Sequence, residues 1–335
     1  MSQTSIFVIA EVGSVHDGSF GNANKLIELA AECGADAVKF QTHIAADETT
    51  RNAPMPPYFK GEPRFDYFER TGFSLNQWQA LKKRSEECGI ELISSPFSIA
   101  AVDLLEKVGV HRYKIASGEV TNLPMLENIA RTGKQVLLST GMSSWGEIDA
   151  AIEVIRRHTR DLVVMQCTSA YSCPDDRVGL NLIEAMAKRY AVPVGFSDHT
   201  LDNVAAFAAA ACGASTIEKH LTFSRKMYGS DAANAAEPTQ FKELIKGLRA
   251  IAVMRANPVD KDDLRPFSEM KRIFEKSIVS AVQIPKGAIL TADMLAVKKP
   301  GDGIAPARMS EIIGRRTARM IPADQLLSLD DLASF

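Results

Sequence analysis

The sequence lacks an excess of charge of either sign, since its 39 basic residues stand against 41 acidic ones. Nucleic-acid-binding domains need a basic surface, so we expect no nucleic-acid partner. The sequence also lacks any apolar run of 18 or more residues, and we therefore expect no membrane-spanning helix. The N-terminal segment has neither the basic part nor the long apolar part of a secretory signal, so export is not expected.

The five cysteines form no CxxC pair and no spacing typical of zinc sites. No P-loop is present and no G-x-G-x-x-G motif follows a strand-like run, so nucleotide binding has no support. Together with the missing export signal, the cysteine pattern predicts a reduced, cytoplasmic protein.

What the chain does contain is an eightfold alternation of apolar strand-like runs with helix-like stretches, most of which close on glycine. Such alternation predicts right-handed crossovers and a parallel sheet, and eight units are the number that closes a TIM barrel. We therefore predict an α/β fold of the (β/α)8 type. The predicted strands are Phe7–Glu11, Ala37–Gln41, Glu91–Ser95, Tyr113–Ser117, Gln135–Thr140, Leu162–Thr168, Val194–His199 and Thr216–His220.

Each of these runs ends in polar residues, and the carboxyl ends of barrel strands line the active-site mouth. A set so rich in ammonium groups, carboxylates, hydroxyls and imidazoles is too polar for a core. It indicates an enzyme rather than a non-catalytic carbohydrate-binding protein. The strand ends supply Glu11, Lys39, Gln41, Ser95, Lys114, Ser117, Glu119, Ser139, Ser197, Asp198, His199, Glu218 and His220.

The alternation stops at Ala256, so the barrel domain is predicted to occupy residues 1–256. Residues 257–276 are polar and contain two prolines, which is typical of a linker. Residues 277–335 change to short β-type pieces and turns, which predict a small, mostly β domain. Within the barrel, residues 43–74 form a long connection on the catalytic face, and their four prolines argue against a regular helix.

Two histidines, His199 and His220, end the seventh and eighth predicted strands. Adjacent strands lie about 4.8 Å apart, so both imidazoles can reach one metal ion and leave positions open for water and substrate. The alternative is a pair of hydrogen-bonded histidines without a metal. His16 lies just beyond the first strand, where it could reach the mouth or serve the structure. The remaining histidines are expected to be structural: His43, His111 and His158.

Lysines and serines at the strand ends, beside the glycines of SGE and STGM, form a second set. Their ammonium groups and hydroxyls, with exposed backbone N–H groups, predict a phosphate site. Lysines that merely extend to solvent are the ordinary alternative. A third possibility is a Schiff-base aldolase that attacks free pyruvate with Lys39, Lys114 or Lys219.

Carboxylates form a third set. Buried near a metal, they could position sugar hydroxyls or transfer protons, and the alternative is structural ion pairing with the lysines. The candidates are Glu11, Glu119 and Asp231.

Eight blocks of sequence occur in a characteristic order: IAEVGSVHDGS, AVKFQT, SSPFS, YKIASGE, LLSTGM, QCTSAY, GFSDHT and IEKHLT. A tail with IPKGAILTADML, VKKPGDGI and IIGRRTARMI follows them. Over nearly its whole length the chain therefore resembles the sialic acid synthase family, whose barrel precedes an antifreeze-like (SAF) domain. The resemblance implies a transferase that condenses phosphoenolpyruvate with an N-acylated amino sugar, giving a nine-carbon 2-keto acid and phosphate. It also implies a domain-swapped homodimer in which this small domain caps the partner's barrel.

The resemblance implies roles for the candidate residues as well. A divalent metal, Mn²⁺ or Mg²⁺, would lie on His199 and His220 and polarise the sugar's aldehyde oxygen, so that C3 of phosphoenolpyruvate can attack the aldehyde carbon. Glu119 would be an active-site acid. Phosphoenolpyruvate would be gripped by Lys39, Ser95, Lys114, Ser117, Ser139 and Ser197. The sugar would be held by Glu11, Tyr171 and Asp231, with Ser169 and Lys299 beside them.

Four departures from the family pattern fall on the sugar side. Val15 and Ser169 stand where asparagine is common, Lys299 replaces an arginine that touches the N-acyl group, and GSDAANAAEP differs from the usual run. Lysine lacks the planar fork of arginine. We therefore expect intact phosphoenolpyruvate chemistry. We also expect a 6-deoxy or diacetamido hexose, leading to a legionaminic- or pseudaminic-type acid, to be at least as good an acceptor as N-acetylmannosamine.

Overall fold

The computed structural model of the chain describes residues 5–54 and 61–333. Two compact units make up the chain, Met1–Pro258 and Val259–Phe335, so the first unit ends two residues after the predicted barrel domain. Within the described ranges no helix is long and apolar enough to cross a membrane.

The first unit contains a closed barrel of eight parallel strands in chain order, in which the first strand pairs with the eighth. This confirms the predicted (β/α)8 fold, and the strand bounds differ from the predicted ones by no more than two residues. The strands are β1 (Phe7–Gly13), β2 (Ala37–Thr42), β3 (Glu91–Pro96), β4 (Arg112–Ile115), β5 (Gln135–Ser139), β6 (Leu162–Cys167), β7 (Val194–Asp198) and β8 (Thr216–His220).

Helices connect these strands, and polar caps fix where several of them begin. Ser74 and Ser144 each form a capping box with the residue three positions later, Gln77 and Glu147. The helices of this unit are α1 (Phe20–Cys33), α2 (Ala45–Glu48), α3 (Arg64–Thr71), α4 (Leu75–Glu87), α5 (Ile99–Val108), α6 (Leu123–Arg131), α7 (Trp145–Arg156), α8 (Asn181–Tyr190), α9 (Val204–Ala211) and α10 (Pro238–Ala256).

The long connection over residues 43–74 is more regular than the sequence predicted. It contains α2 and α3, so the expectation that it lacks regular helix was wrong for these two stretches. Pro63 is the N-cap of α3, and the other prolines of the connection come earlier in the chain. Proline at the start of a helix interrupts no helical hydrogen bond, which explains why α3 tolerates it. Positions 55–60 of the connection lie outside the described residues.

Inside the barrel, an apolar layer lies directly below the polar strand ends. Ile9 and Leu137 are fully buried, and Glu11 and Ser139 follow them by two residues on the same strands. Because side chains alternate between the faces of a strand, each polar group points into the barrel just above an apolar one. The residues of this apolar layer are Ile9, Ala37, Ile93, Leu137, Val163 and Met165.

The second unit has its own small core and little regular structure. Its strands β9 (Ser277–Ser280) and β10 (Leu295–Lys298) pair antiparallel, and its helices are α11 (Ser268–Phe274) and α12 (Met309–Ile312). Helix α11 lies within residues 257–276, which the sequence predicted to be a linker. The core residues are Ile278, Ile284, Leu290, Leu295, Ile304, Ile312, Ile321, Leu327 and Leu332.

Candidate active site

A cavity of about 300 Å³ opens at the carboxyl ends of the barrel strands. The structure thus brings together most of the residues that the sequence predicted for the site. The lining members of that set are Glu11, Lys39, Ser95, Lys114, Ser117, Ser139, Ser169, Tyr171, Ser197, His199, His220 and Asp231.

Lys39, on β2, is buried among two carboxylates and a hydroxyl. Its Nζ lies 2.7 Å from Glu11 Oε2 and 3.8 Å from Glu218 Oε1, and it donates to Ser95 Oγ at 3.3 Å. The strand register places Glu11 beside Lys39 across the β1–β2 pair. The ammonium group is therefore held by neighbouring strands rather than by a loop.

Lys114, on β4, approaches the same carboxylate from another strand. Its Nζ lies 3.3 Å from Glu218 Oε1 and donates to Ser139 Oγ at 2.6 Å. Ser197 also donates to Glu218 Oε1, at 3.0 Å. Two ammonium groups thus share the carboxylate of Glu218, and both line the cavity, where they can contact an anionic ligand.

Burial and neighbouring charges shift the pKa values of this cluster in opposite directions. Burial raises the pKa of Glu11 to about 7, although Lys39 opposes the shift. Burial also disfavours the charged form of Glu218, but Lys114 and Lys39 outweigh it and lower that pKa to about 2. Burial lowers the pKa of Lys114. Carboxyl groups with such separated pKa values suit a site that transfers protons near neutral pH.

Gly141 allows the backbone after β5 to approach the cavity closely. Its N–H donates to Ser117 Oγ at 3.1 Å. A Cβ at this position would lie 2.4 Å from Ser169 Oγ and 2.8 Å from Ser117 Oγ, so only glycine fits. The glycine of the STGM motif therefore leaves room for the hydroxyl groups of Ser117 and Ser169.

The two histidines predicted to bind a metal lie together in the cavity. The ring centroids of His199 and His220 are 5.6 Å apart, and the ring of Tyr171 lies 4.3 Å from that of His199. His199 Nδ1 donates to the carbonyl oxygen of Thr168 at 2.9 Å, which leaves Nε2 as the available lone pair. His220 Nδ1 is buried and has no hydrogen-bond partner among the described residues.

Across residues 5–54 and 61–333, no group of three or more His, Cys, Asp or Glu side chains is arranged to hold a metal ion. A metal here would depend on two imidazoles together with water or substrate. The metal assignment therefore stays a prediction, and the unpartnered nitrogen of His220 is the observation that fits it.

Asp231 lines the cavity, where its Oδ2 accepts the backbone N–H of Ser14 at 2.8 Å. Lys299 belongs to the second unit, where its Nζ lies 4.9 Å from the ring centroid of Phe274. The predicted contacts of both residues with a sugar stay predictions.

Three other candidates lie away from the cavity wall. Glu119 follows β4, accepts a hydrogen bond from Asn122 Nδ2 at 2.9 Å, and has its pKa raised by burial. Val15 is fully buried in the core between strands and helices, so its effect is on packing rather than on the mouth. His16 is buried with its ring 4.7 Å from that of Phe73, which favours its structural interpretation.

Comparison with known proteins tests the resemblance. Residues 26–260 match the NeuB family and residues 275–333 match the SAF domain. The chain belongs to the NeuB family. Its second unit carries the SAF domain, which confirms the predicted architecture.

Relatives of this NeuB family member cover nearly its whole length. An uncharacterized protein from Methanocaldococcus jannaschii is 36% identical over 97% of this chain and 94% of its own length. The N,N'-diacetyllegionaminic acid synthase of Campylobacter jejuni is 34% identical over 96% of this chain and 98% of its own. The crystal structure of an N-acetylneuraminic acid (sialic acid) synthetase from Leptospira borgpetersenii has a TM-score of 0.72 at 28% identity, covering 80% of this chain and 92% of that one. The family comprises synthases of sialic and related nonulosonic acids, enzymes that condense phosphoenolpyruvate with sugars.

The NeuB cavity also contains residues that the sequence analysis missed. His43 and Arg64 line it, and both come from the 43–74 connection. The guanidinium of Arg64 lies 5.4 Å from the ring centroid of Phe68, and its buried Nε has no hydrogen-bond partner in the described part of the chain. One signal could have found His43: it follows Lys39 and Gln41 at intervals of two, so it continues the inward face of β2.

Proposed function

We propose that the chain condenses phosphoenolpyruvate with an N-acylated amino sugar, with addition of one water at C2 and loss of phosphate, giving a nine-carbon 2-keto sugar acid. The observation that carries this proposal is the pair of buried ammonium groups, Lys39 and Lys114, with serine hydroxyls at 2.6 and 3.3 Å in a cavity that also holds two imidazoles. Phosphoenolpyruvate has a phosphate and a carboxylate, and both groups suit ammonium and hydroxyl partners.

The chain's own residues would bind and orient the two substrates. Glu11 would hold or release a proton near neutral pH, and Tyr171 and Asp231 would bind sugar hydroxyls. Phosphoenolpyruvate would be held by Lys39, Lys114, Ser95, Ser117, Ser139 and Ser197.

His199 and His220 would hold a divalent cation, Mn²⁺ or Mg²⁺. The unpartnered Nδ1 of His220 and the fixing of the His199 ring by Thr168 both fit such a role. When bound, the cation supplies Lewis-acid stabilisation of the charge that develops on the sugar's aldehyde oxygen.

Arg64 supports an acceptor with a planar polar substituent. Its guanidinium stands in the cavity wall with an unused N–H, and a guanidinium matches carbonyl and carboxylate groups better than an ammonium group does. An additional acyl group, as on a diacetamido hexose, would provide such a partner. The 34% identity to a diacetyllegionaminic acid synthase also favours an acceptor of this class.

The test is phosphate release from phosphoenolpyruvate with Mn²⁺ and a panel of N-acyl hexosamines. We expect release that depends on both substrates, with a 6-deoxy diacetamido hexose at least as good as N-acetylmannosamine. No release with any acceptor would refute the condensation. A much higher kcat/KM for N-acetylmannosamine would refute only the choice of acceptor.

A second candidate is a Schiff-base pyruvate aldolase, which the lowered pKa of Lys114 favours. Lys219, by contrast, is paired with Asp198 Oδ2 at 2.6 Å and is not among the lining residues. Borohydride reduction in the presence of pyruvate, followed by intact mass, would detect an adduct on Lys114. The condensation predicts none.

The assembly proposal is a homodimer in which residues 277–335 of one chain close the barrel of the other. Helix α11 exposes apolar side chains: Met270 is 53% exposed and Phe274 is 55% exposed. Phe267, just before the helix, is 51% exposed. Such exposure is expected of a surface that a partner covers. Sedimentation of the whole chain should show a dimer. Deletion after Arg272 should remove activity at ordinary sugar concentrations, and a fully active truncated monomer would refute the arrangement.

A further inference from the structure

Two phenylalanines and a carboxylate hold the ring of His43 in one orientation. The ring stacks on Phe68 with centroids 3.8 Å apart, and on Phe97 at 4.3 Å. Its Nδ1 lies 2.8 and 3.0 Å from the two carboxylate oxygens of Glu48. The side chains of His43 and Glu48 are only 6% and 4% exposed. The ring is therefore held in place by contacts on both faces and at one edge.

From His43 a chain of hydrogen bonds leads to the centre of the cavity. His43 Nε2 lies 3.0 Å from Gln41 Oε1, Gln41 Nε2 donates to Glu11 Oε1 at 3.0 Å, and Glu11 Oε2 contacts Lys39 at 2.7 Å. The amide nitrogen of Gln41 thus faces Glu11 and its oxygen faces His43. An amide oxygen only accepts, so His43 donates to Gln41 through Nε2.

We propose that His43 is a positioning residue that fixes the amide of Gln41, which in turn holds Glu11 and Lys39 at the reacting groups. Without the N–H of His43, the Gln41 amide is free to turn over. Its oxygen would then face an oxygen of Glu11, and two acceptors in contact repel each other. Glu11 would leave its place beside Lys39. The kinetic part of this inference rests on the proposed function, whereas the hydrogen-bond pattern does not.

The kinetic test is a double-mutant cycle in the whole chain. His43→Phe keeps an aromatic ring between the two phenylalanines and removes the N–H group that faces Gln41, so kcat should fall by about tenfold or more while the KM for phosphoenolpyruvate stays near the parent value. In a Gln41→Met background the same substitution should have no further effect. His158→Phe, at an exposed histidine, is the matched control and should leave kcat unchanged. A parent-like kcat for His43→Phe, or an equal loss in both backgrounds, would overturn the proposal.

Two further measurements keep the proposal decidable. If His43→Phe does not fold, Glu48→Leu leaves the stacked ring in place, and its loss of kcat should likewise vanish in the Gln41→Met background. Histidine ¹⁵N NMR of the whole chain should show Nε2 of His43 protonated, and an unprotonated Nε2 would overturn the hydrogen-bond pattern. A parent protein that released no phosphate with any acceptor would refute the proposed function instead, and the NMR result would still decide the pattern.

Discussion

Within the cavity, Lys39 and Lys114 differ from His199 and His220 in the hydrogen-bond and ion-pair partners that the protein provides. Lys39 and Lys114 each have a carboxylate within 4 Å, and both donate to a serine. Among the described residues, His199 and His220 have no carboxylate at ion-pair distance, and Nδ1 of His220 has no hydrogen-bond partner. Buried polar groups are costly unless paired. The difference teaches that the fold itself completes the lysine cluster, whereas the histidine pair keeps a free nitrogen that the proposed cation would use.

Removing one histidine should have the largest effect if a bound cation completes the pair. We expect His220→Ala to lower kcat by about 1000-fold or more, because Lewis-acid stabilisation is worth several kcal/mol. The fold should survive, as judged by circular dichroism, and tight Mn²⁺ binding measured by electron paramagnetic resonance should disappear. His158→Ala is the control for a lost imidazole. Full activity after exhaustive chelation would contradict the prediction.

Removing one ammonium group should have the next largest effect. Lys114→Met leaves Glu218 with one lysine instead of two and takes a positive charge from the anion site. We expect kcat/KM for phosphoenolpyruvate to fall by about 100- to 1000-fold, the scale of losing one preorganised electrostatic partner. Lys114→Arg keeps the charge but not its position, so it should retain part of the kcat/KM that Lys114→Met loses. Parent-like saturation by phosphoenolpyruvate would count against the lysine cluster as the anion site.

The Lys219–Asp198 ion pair is buried outside the cavity, so we expect its removal to change the stability of the fold rather than the binding of substrate. Lys219 and Asp198 are both buried, 2.6 Å apart. We expect Lys219→Met to lower the free energy of unfolding by about 3–5 kcal/mol, because it leaves the buried carboxylate of Asp198 without its ion-pair partner. The double variant Asp198→Asn with Lys219→Met should recover much of that loss. Urea denaturation measures both, and a neutral single variant would contradict the account.

The smallest effect concerns His16, a buried imidazole away from the cavity wall. Burial lowers its pKa from 6.5 to about 4, with the nearby His43 adding to the shift and Asp231 opposing it. Between pH 6.5 and about 4 the unfolded chain binds a proton on His16 and the folded chain does not, so stability should be lost as the pH falls through this range. The loss should reach at most about 3 kcal/mol. His16→Asn should flatten this part of the pH profile of thermal unfolding. An unchanged profile would remove His16 as its source.

The barrel and most of the cavity could be predicted from the sequence, because both depend on local pattern. Apolar runs at regular spacing specify a parallel sheet, and the residues that end the runs must meet at one edge. Lys39, Lys114, His199 and His220 were found in this way, and the structure places all four in one cavity.

The remaining features depend on contacts between distant segments, which a local pattern does not reveal. The stacking of His43 between Phe68 and Phe97 joins three segments, so the histidine looked like an ordinary loop residue. Proline content likewise hid helix α3, because a proline is harmless at the start of a helix but not inside it. Val15 was assigned to the mouth from its place in a motif, whereas its side chain lies in the core.

The pairing of β1 with its two neighbouring strands has a consequence for how members of this family can diversify. Glu11 stands in register with Lys39 on one neighbouring strand and with His220 on the other, so their spacing is set by backbone ladders rather than by connections. Recombination that exchanged the 43–74 connection between relatives would leave those ladders untouched while replacing Arg64 and Phe68. The strand register thus fixes where Glu11, Lys39 and His220 stand, whereas an exchanged connection would replace the proposed sugar contact of Arg64 together with His43.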